Sequence, residues 1–141
     1  MNSSAPEMKW HNFLIYLGLR GAALSSAFEA FEQIWFRRLS SETYFLSESA
    51  YLLIGAIYAL FAIYAVVTRF ALARFKKHAP AMLYVTFALN MLLPMAVDIA
   101  EYRSAGMQLN PADMGISAAV LAAILALHMI YYRKRAALFI N

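Results

Sequence analysis

The sequence has no cysteine, and only 14% of its 141 residues are charged. The first absence excludes disulfides, thiolate metal sites and thiol catalysis together, and it leaves the redox compartment undetermined. The second excludes an ordinary water-soluble surface, because a soluble domain of this length carries about a quarter charged residues. Catalytic signatures are missing too: there is no HExxH, no Gly-rich phosphate loop, no nucleophile elbow and no Ser-His-Asp order. His11, His78 and His128 are scattered over different segments without metal-ligand spacing, so no metal or other cofactor is expected. The expectation is a protein that is not an enzyme.

Apolar residues are what the chain has in abundance: 63% of it is hydrophobic, with a mean hydropathy of +0.59. A spanning helix needs roughly 20 mostly apolar residues. Three uncharged windows meet that length: Ser49 to Thr68, Ala79 to Val97, and Met114 to Tyr132. A fourth, Asn12 to Ile34, is flanked by Trp10 and Trp35 as interfacial anchors but carries Arg20, Glu29 and Glu32 within the stretch RGAALSSAFEAFEQIW. Lipid tolerates neither open sheet edges nor irregular backbone, so all four windows are expected to be helices. The junctions agree. Asn110-Pro111-Ala112-Asp113 offers a cap residue, a proline at the first helical position and an acid in the first turn, and Pro80 opens the third window directly after FKKH. A signal peptide in place of the first window is opposed by Arg20 in its apolar core, by Lys9 as its only basic leader and by the lack of a clear cleavage site. No internal repeat or low-complexity linker divides the chain. The reading is therefore one all-α domain, residues 1–141, an integral membrane four-helix bundle running up-down-up-down.

Basic residues near the helix ends set the orientation. Lys9, Arg69, Arg74, Lys76, Lys77, Arg133, Lys134 and Arg135 would lie on one side, against Arg37, Arg38 and Arg103 on the other. Both termini are thus expected in the cytoplasm, in a multi-pass protein of the cell (inner) membrane. The basic clusters serve orientation and attract anionic lipid; nucleic-acid binding has no separate support.

The segments WHNFLIYLGL, TRFALARFKKHAPAMLYVTFALN and YYRKRAALFIN resemble small four-span membrane proteins of Gram-positive gut bacteria, which end on an aromatic pair, a basic cluster and Leu-Phe. Some of those carry a zinc ribbon before the first span; this chain, without cysteine, has none. The resemblance implies the architecture and supplies no catalytic residue.

Helices in lipid associate through small residues. Gly18, Ala22 and Ser25, continued by Glu29 and Glu32, share one spacing in the first window; Gly55, Ala59, Ala62 and Val66 repeat it in the second, and Gly115, Ala119, Ala122 and Ala126 in the fourth. These are the expected packing seams. Among the polar residues within the windows, Arg20 is expected to snorkel toward the N-terminal side or to meet a partner. Asn90 is expected to hydrogen-bond between helices, and His128 keeps company with Tyr131 and Tyr132. Thr86, Asn90, Pro94, Asp98 and Glu101 form a polar or helix-breaking stripe in the third window. If the first and third helices met through these stripes, Glu29, Glu32, Asp98 and Glu101 would converge on a cation or proton site. The other reading places Glu32, Asp98 and Glu101 in the outer headgroup layer, paired with Arg37, Arg38 and Arg103. Two functions follow. One is an interaction or accessory membrane protein acting by helix association, as a homo-oligomer or with another membrane protein. The alternative is a small oligomeric channel or transporter for cations or protons using the acidic stripe.

Overall fold

A computed structural model describes residues 8–37, 39, 45–108 and 110–139. Arg38, one of the expected outer cations, lies outside them. Among the described residues the fold is all-helical. The first helix is one rod in four segments: α1 (Lys9–Phe13), a π-helical stretch (Leu14–Gly18), α2 (Leu19–Phe31) and a second π-helical stretch (Glu32–Arg37). Three uninterrupted helices follow, α3 (Glu48–Ala73), α4 (Ala79–Ser104) and α5 (Pro111–Arg133), and a 3-10 turn spans Ala136–Leu138.

Local chemistry fixes the ends of these helices. Ser47 caps α3 by accepting from the Ala50 amide, and Asn110 caps α5 by accepting from the Ala112 amide. The C-termini of α3 and α4 close with the same pair of reverse hydrogen bonds. Lys76 and Phe75 donate to the carbonyls of Ala71 and Leu72, and Met107 and Gly106 to those of Tyr102 and Arg103. The turn residue after α4 is Gly106, with φ of 69°; after α3 it is Phe75, with φ of 49°. A phenylalanine there costs about 1–2 kcal/mol that glycine would not, and its ring is used, as described below.

Among the described residues, three helices are long and apolar enough to cross a membrane: Glu48–Ala73, Ala79–Ser104 and Met114–Arg133. The first window is helical throughout but is not one of them. It carries Arg20, Glu29 and Glu32, and its two π-helical stretches divide it into short α-segments. A π-helical turn misaligns backbone hydrogen bonding, and here Arg69 compensates by donating from Nε to the Ile15 carbonyl at 3.0 Å. The charge expected at Arg69 as an orientation signal is thus also a backbone brace.

The contacts define two ends. His11 of α1, Leu72 and Phe75 at the end of α3, Leu83 near the start of α4 and Tyr132 at the end of α5 gather at one, in a core with Leu14, Leu19, Ala79 and Phe139. Arg37, Tyr51 and Glu101 gather at the other. Successive helices therefore alternate in direction. Between the ends, α3 packs chiefly on α2, while α5 packs chiefly on α4. Thr86 of α4 donates from its hydroxyl to Thr68 of α3 at 3.3 Å, in a buried polar crossing.

The packing faces differ from the expected seams by a step. In α2 the buried residues are Leu19, Ser26 and Ala30, with Gln33 beyond, whereas Gly18, Ala22, Glu29 and Glu32 are half-buried on the flank and Ser25 is exposed. In α3 the buried line is Tyr51, Gly55, Tyr58, Phe61, Ala65, Thr68 and Leu72. Gly55 lies on both lines; Ala59 and Ala62 flank, and Val66 is 41% exposed. Large side chains fill this face because only one point demands close approach, the crossing at Gly55. A Cβ there would collide with Ile34 and stand 3.1 Å from the Ala30 carbonyl oxygen. Gly115 has nothing within 4 Å of its Cβ direction, and Ala119 is exposed beside it. Gly55→Ala should therefore lower stability in detergent unfolding by roughly 1–3 kcal/mol through overpacking. Gly115→Ala should be neutral or slightly stabilising, since alanine is the better helix former. Equal effects at the two sites would refute this account of the crossing.

Candidate functional site

At the acidic end, Arg37 lies between two carboxylates. Its Nη1 donates to Glu101 Oε1 at 2.6 Å and its Nε to Glu32 Oε1 at 3.2 Å. Tyr51, fully buried at the start of α3, donates its hydroxyl to the same Glu101 oxygen at 3.2 Å and accepts from the Leu46 amide. Burial works against the Arg37 charge, but attraction to Glu101 and Glu32 outweighs it and holds the guanidinium above its ordinary pKa. The node ties the end of the first helix to α3 and α4. The fixed cation takes the place that a free cation would occupy between Glu32 and Glu101.

The other two expected carboxylates do not join this node. Glu29 is half-buried on the first helix, and Asp98 is exposed on α4, where it lines a 260 Å³ recess with Tyr102 and Asn110. Both remain within electrostatic range of the Tyr58 hydroxyl. The first helix and α4 do not pack stripe to stripe. A cleft of 270 Å³ separates them, lined by Gly18, Ala22 and Ser25 on one side and Thr86 and Asn90 on the other. The four-carboxylate vestibule is thus not assembled: two members are bridged by arginine and two stand apart. Asn90 is exposed and makes no hydrogen bond among the described residues, and Pro94 is exposed within a continuous helix. Arg20 is exposed, and its guanidinium lies over the ring of Tyr16, one turn toward the N-terminus, at 5.9 Å.

The second cluster, at the opposite end, was not anticipated as a site. His11 is fully buried. Its ring stacks on Phe75 at 4.9 Å, meets Tyr132 and Phe139 edge-on, and places Nδ1 3.1 Å from the Tyr132 hydroxyl. Its Nε2 is buried without a hydrogen-bond partner. Burial pushes the His11 pKa down, and the nearby Leu72 carbonyl only partly offsets this. Beside it, Trp10 donates from Nε1 to His128 Nε2 at 3.3 Å, and His128 Nδ1 lies 2.7 Å from the Ile124 carbonyl. An indole can only donate, so His128 is held with its proton on Nδ1. Arg135 folds back over the Tyr131 ring at 3.9 Å. Two of the three histidines are therefore not as dispersed as their sequence positions suggest, since His11 and His128 both dock the N-terminal segment onto α5. No group of three or more metal-ligating side chains occurs among the described residues.

Among the described residues the fold thus defines a class, all-helical with three helices long and apolar enough to cross a membrane. No protein-family model, curated protein or solved structure matches the chain.

Proposed function

We propose that this chain is a four-span membrane protein of interaction or accessory type, working by helix association and without catalysis, with both termini and the histidine cluster on the cytoplasmic side. The observation that carries the reading is α5. Its apolar window has a mean hydropathy of 2.0 and is only 6% buried. Leu127, Ile116 and Ile130 are 67%, 63% and 55% exposed. A helix so apolar and so little covered needs lipid on most faces and leaves a surface for another helix. Gly115 and Ala119 mark the place of closest possible approach on that surface. The distribution of basic residues supports the orientation, and the cell membrane is part of the proposal. The Arg37 bridge between Glu32 and Glu101 supports a structural use of these carboxylates, and the transport alternative is a channel or transporter that uses the acidic stripe in an oligomer.

The absence of native cysteine makes a direct test available. Gly115→Cys and Ala119→Cys, oxidised in native membranes, should yield a disulfide-linked dimer or an adduct with a second membrane protein. Leu60→Cys, on an exposed face of α3, should yield several-fold less. No preferential adduct from either α5 position would overturn helix association through this surface.

A further inference from the structure

At the histidine end a groove of 590 Å³ runs between the start of α4 and the end of α5. Its rim carries Lys77 and Arg133, and its walls are Pro80, Tyr84, Met129 and Ile130. Both cations are exposed, and neither pairs with a carboxylate among the described residues; Glu29, Glu32, Glu48, Asp98 and Glu101 all belong to the opposite half. We propose that this groove binds one anionic phospholipid, its phosphate between Lys77 and Arg133 and an acyl chain along Tyr84, Met129 and Ile130.

The inference rests on the membrane reading above and adds to it a defined ligand site. Charge complementarity selects the occupant. Two exposed cations with no carboxylate partner among the described residues call for an anion, and the apolar walls below them call for a chain that a free phosphate lacks. A zwitterionic lipid brings its own cation to a rim that is already positive. The exposed faces of Met129 and Ile130, 54% and 55% accessible, continue the groove along the side of the bundle where lipid would lie. Basic pockets between helix ends are the usual setting for such headgroups.

The test uses the full chain in a neutral detergent, with bound lipid counted by native mass spectrometry. The probes are dioleoylphosphatidylglycerol, dioleoylphosphatidylcholine and glycerol 3-phosphate. The phosphatidylglycerol should bind at least about tenfold more tightly than the phosphatidylcholine, and glycerol 3-phosphate should not displace it. Lys77→Gln with Arg133→Gln should weaken binding about twenty-five-fold, at about fivefold per charge. Lys76→Gln with Lys134→Gln removes the same charge away from the groove and should change binding less than about twofold. Ala126→Trp, which fills the groove and leaves both cations, should abolish it; Ala126 is exposed and lines the groove, so the larger ring need not disturb the core. Equal losses in the two double variants would replace the site by a diffuse field. Equal binding of the two lipids would remove the anion, and displacement by glycerol 3-phosphate would remove the acyl chain. Any of these overturns the proposal. Carbonate extraction of the same membranes separates the two levels. A chain that washes off refutes the membrane reading itself, whereas an embedded chain without lipid selectivity refutes only the groove.

Discussion

Arg37→Ala should destabilise the protein more than the loss of any other single surface charge, by about 2–3 kcal/mol in detergent unfolding. Removing one partner of a buried ion pair costs roughly 3–5 kcal/mol, because the charge left behind has lost both its water and its partner. The node here retains some solvent, with side-chain exposures of 23% at Arg37, 30% at Glu32 and 18% at Glu101, so a lower figure applies. Two carboxylates would remain facing each other at the junction of three helices. Glu101→Gln should cost less, because its amide oxygen still accepts from Tyr51. In the double variant the second loss should be smaller than in the single one, giving a coupling of about 1 kcal/mol or more. Additivity within about 0.5 kcal/mol would show that Arg37 does not act through Glu101. The outcome also bears on function. A bridge that stabilises the resting fold is a structural clamp, and a cation pathway built on Glu32 and Glu101 would first have to break it.

Much of this architecture was legible in the sequence. The three uncharged windows coincide with α3, α4 and α5 because twenty apolar residues admit few other structures, and the Asn110 cap lies where its side-chain chemistry placed it. Four helical windows joined by short connections imply alternating directions, and the ends that carry the basic clusters do meet at one end of the bundle. Less legible was the rotation of each helix. A small-residue spacing identifies a face only to within about 100°, one residue's turn, and the buried lines through Ser26 and Ala65 lie one step from the seams expected through Ser25 and Val66. Tyr51 could have been found: it stands four residues before Gly55 and so on its face, yet an aromatic at a helix start reads equally well as an interfacial anchor. Pairing of Glu32 and Glu101 with arginines of the outer end was one of the two readings the sequence offered, but Arg37 could not be singled out for Glu101, since 64 residues separate them and only the order of helices around the bundle brings them together. The histidine cluster was hidden for the same reason. His11 meets Tyr132 across 121 residues of chain, and no local spacing encodes that contact.

That cluster carries the remaining prediction, a loss of stability in mild acid. His11 is neutral in the fold and its pKa lies below the unfolded value of 6.5. As pH falls through 6.5, the unfolded chain takes up a proton there and the folded chain does not, so stability drops with pH until the lower, folded pKa is reached. Each unit of pH inside that window costs up to about 1.4 kcal/mol. The physical reason is the setting: protonation would place a charge against the rings of Phe75 and Phe139, where the Leu72 carbonyl offsets only part of the lost hydration and the Tyr132 hydroxyl can accept from Nδ1. Melting in detergent should therefore fall between pH 7.5 and 5.5 for the native chain. His11→Phe should flatten that dependence, because the ring stack on Phe75 survives and the titrating group does not. His11→Ala should flatten it as well but at a loss of roughly 2–5 kcal/mol at every pH, from the cavity left among Phe75, Tyr132 and Phe139. A native pH dependence unchanged in both variants would place the acid-sensitive group elsewhere. If His11 is the source, the N-terminal segment is the part of the bundle that acid releases. The same proton that loosens His11 also weakens the tie between α1 and α5, because that tie runs through Tyr132.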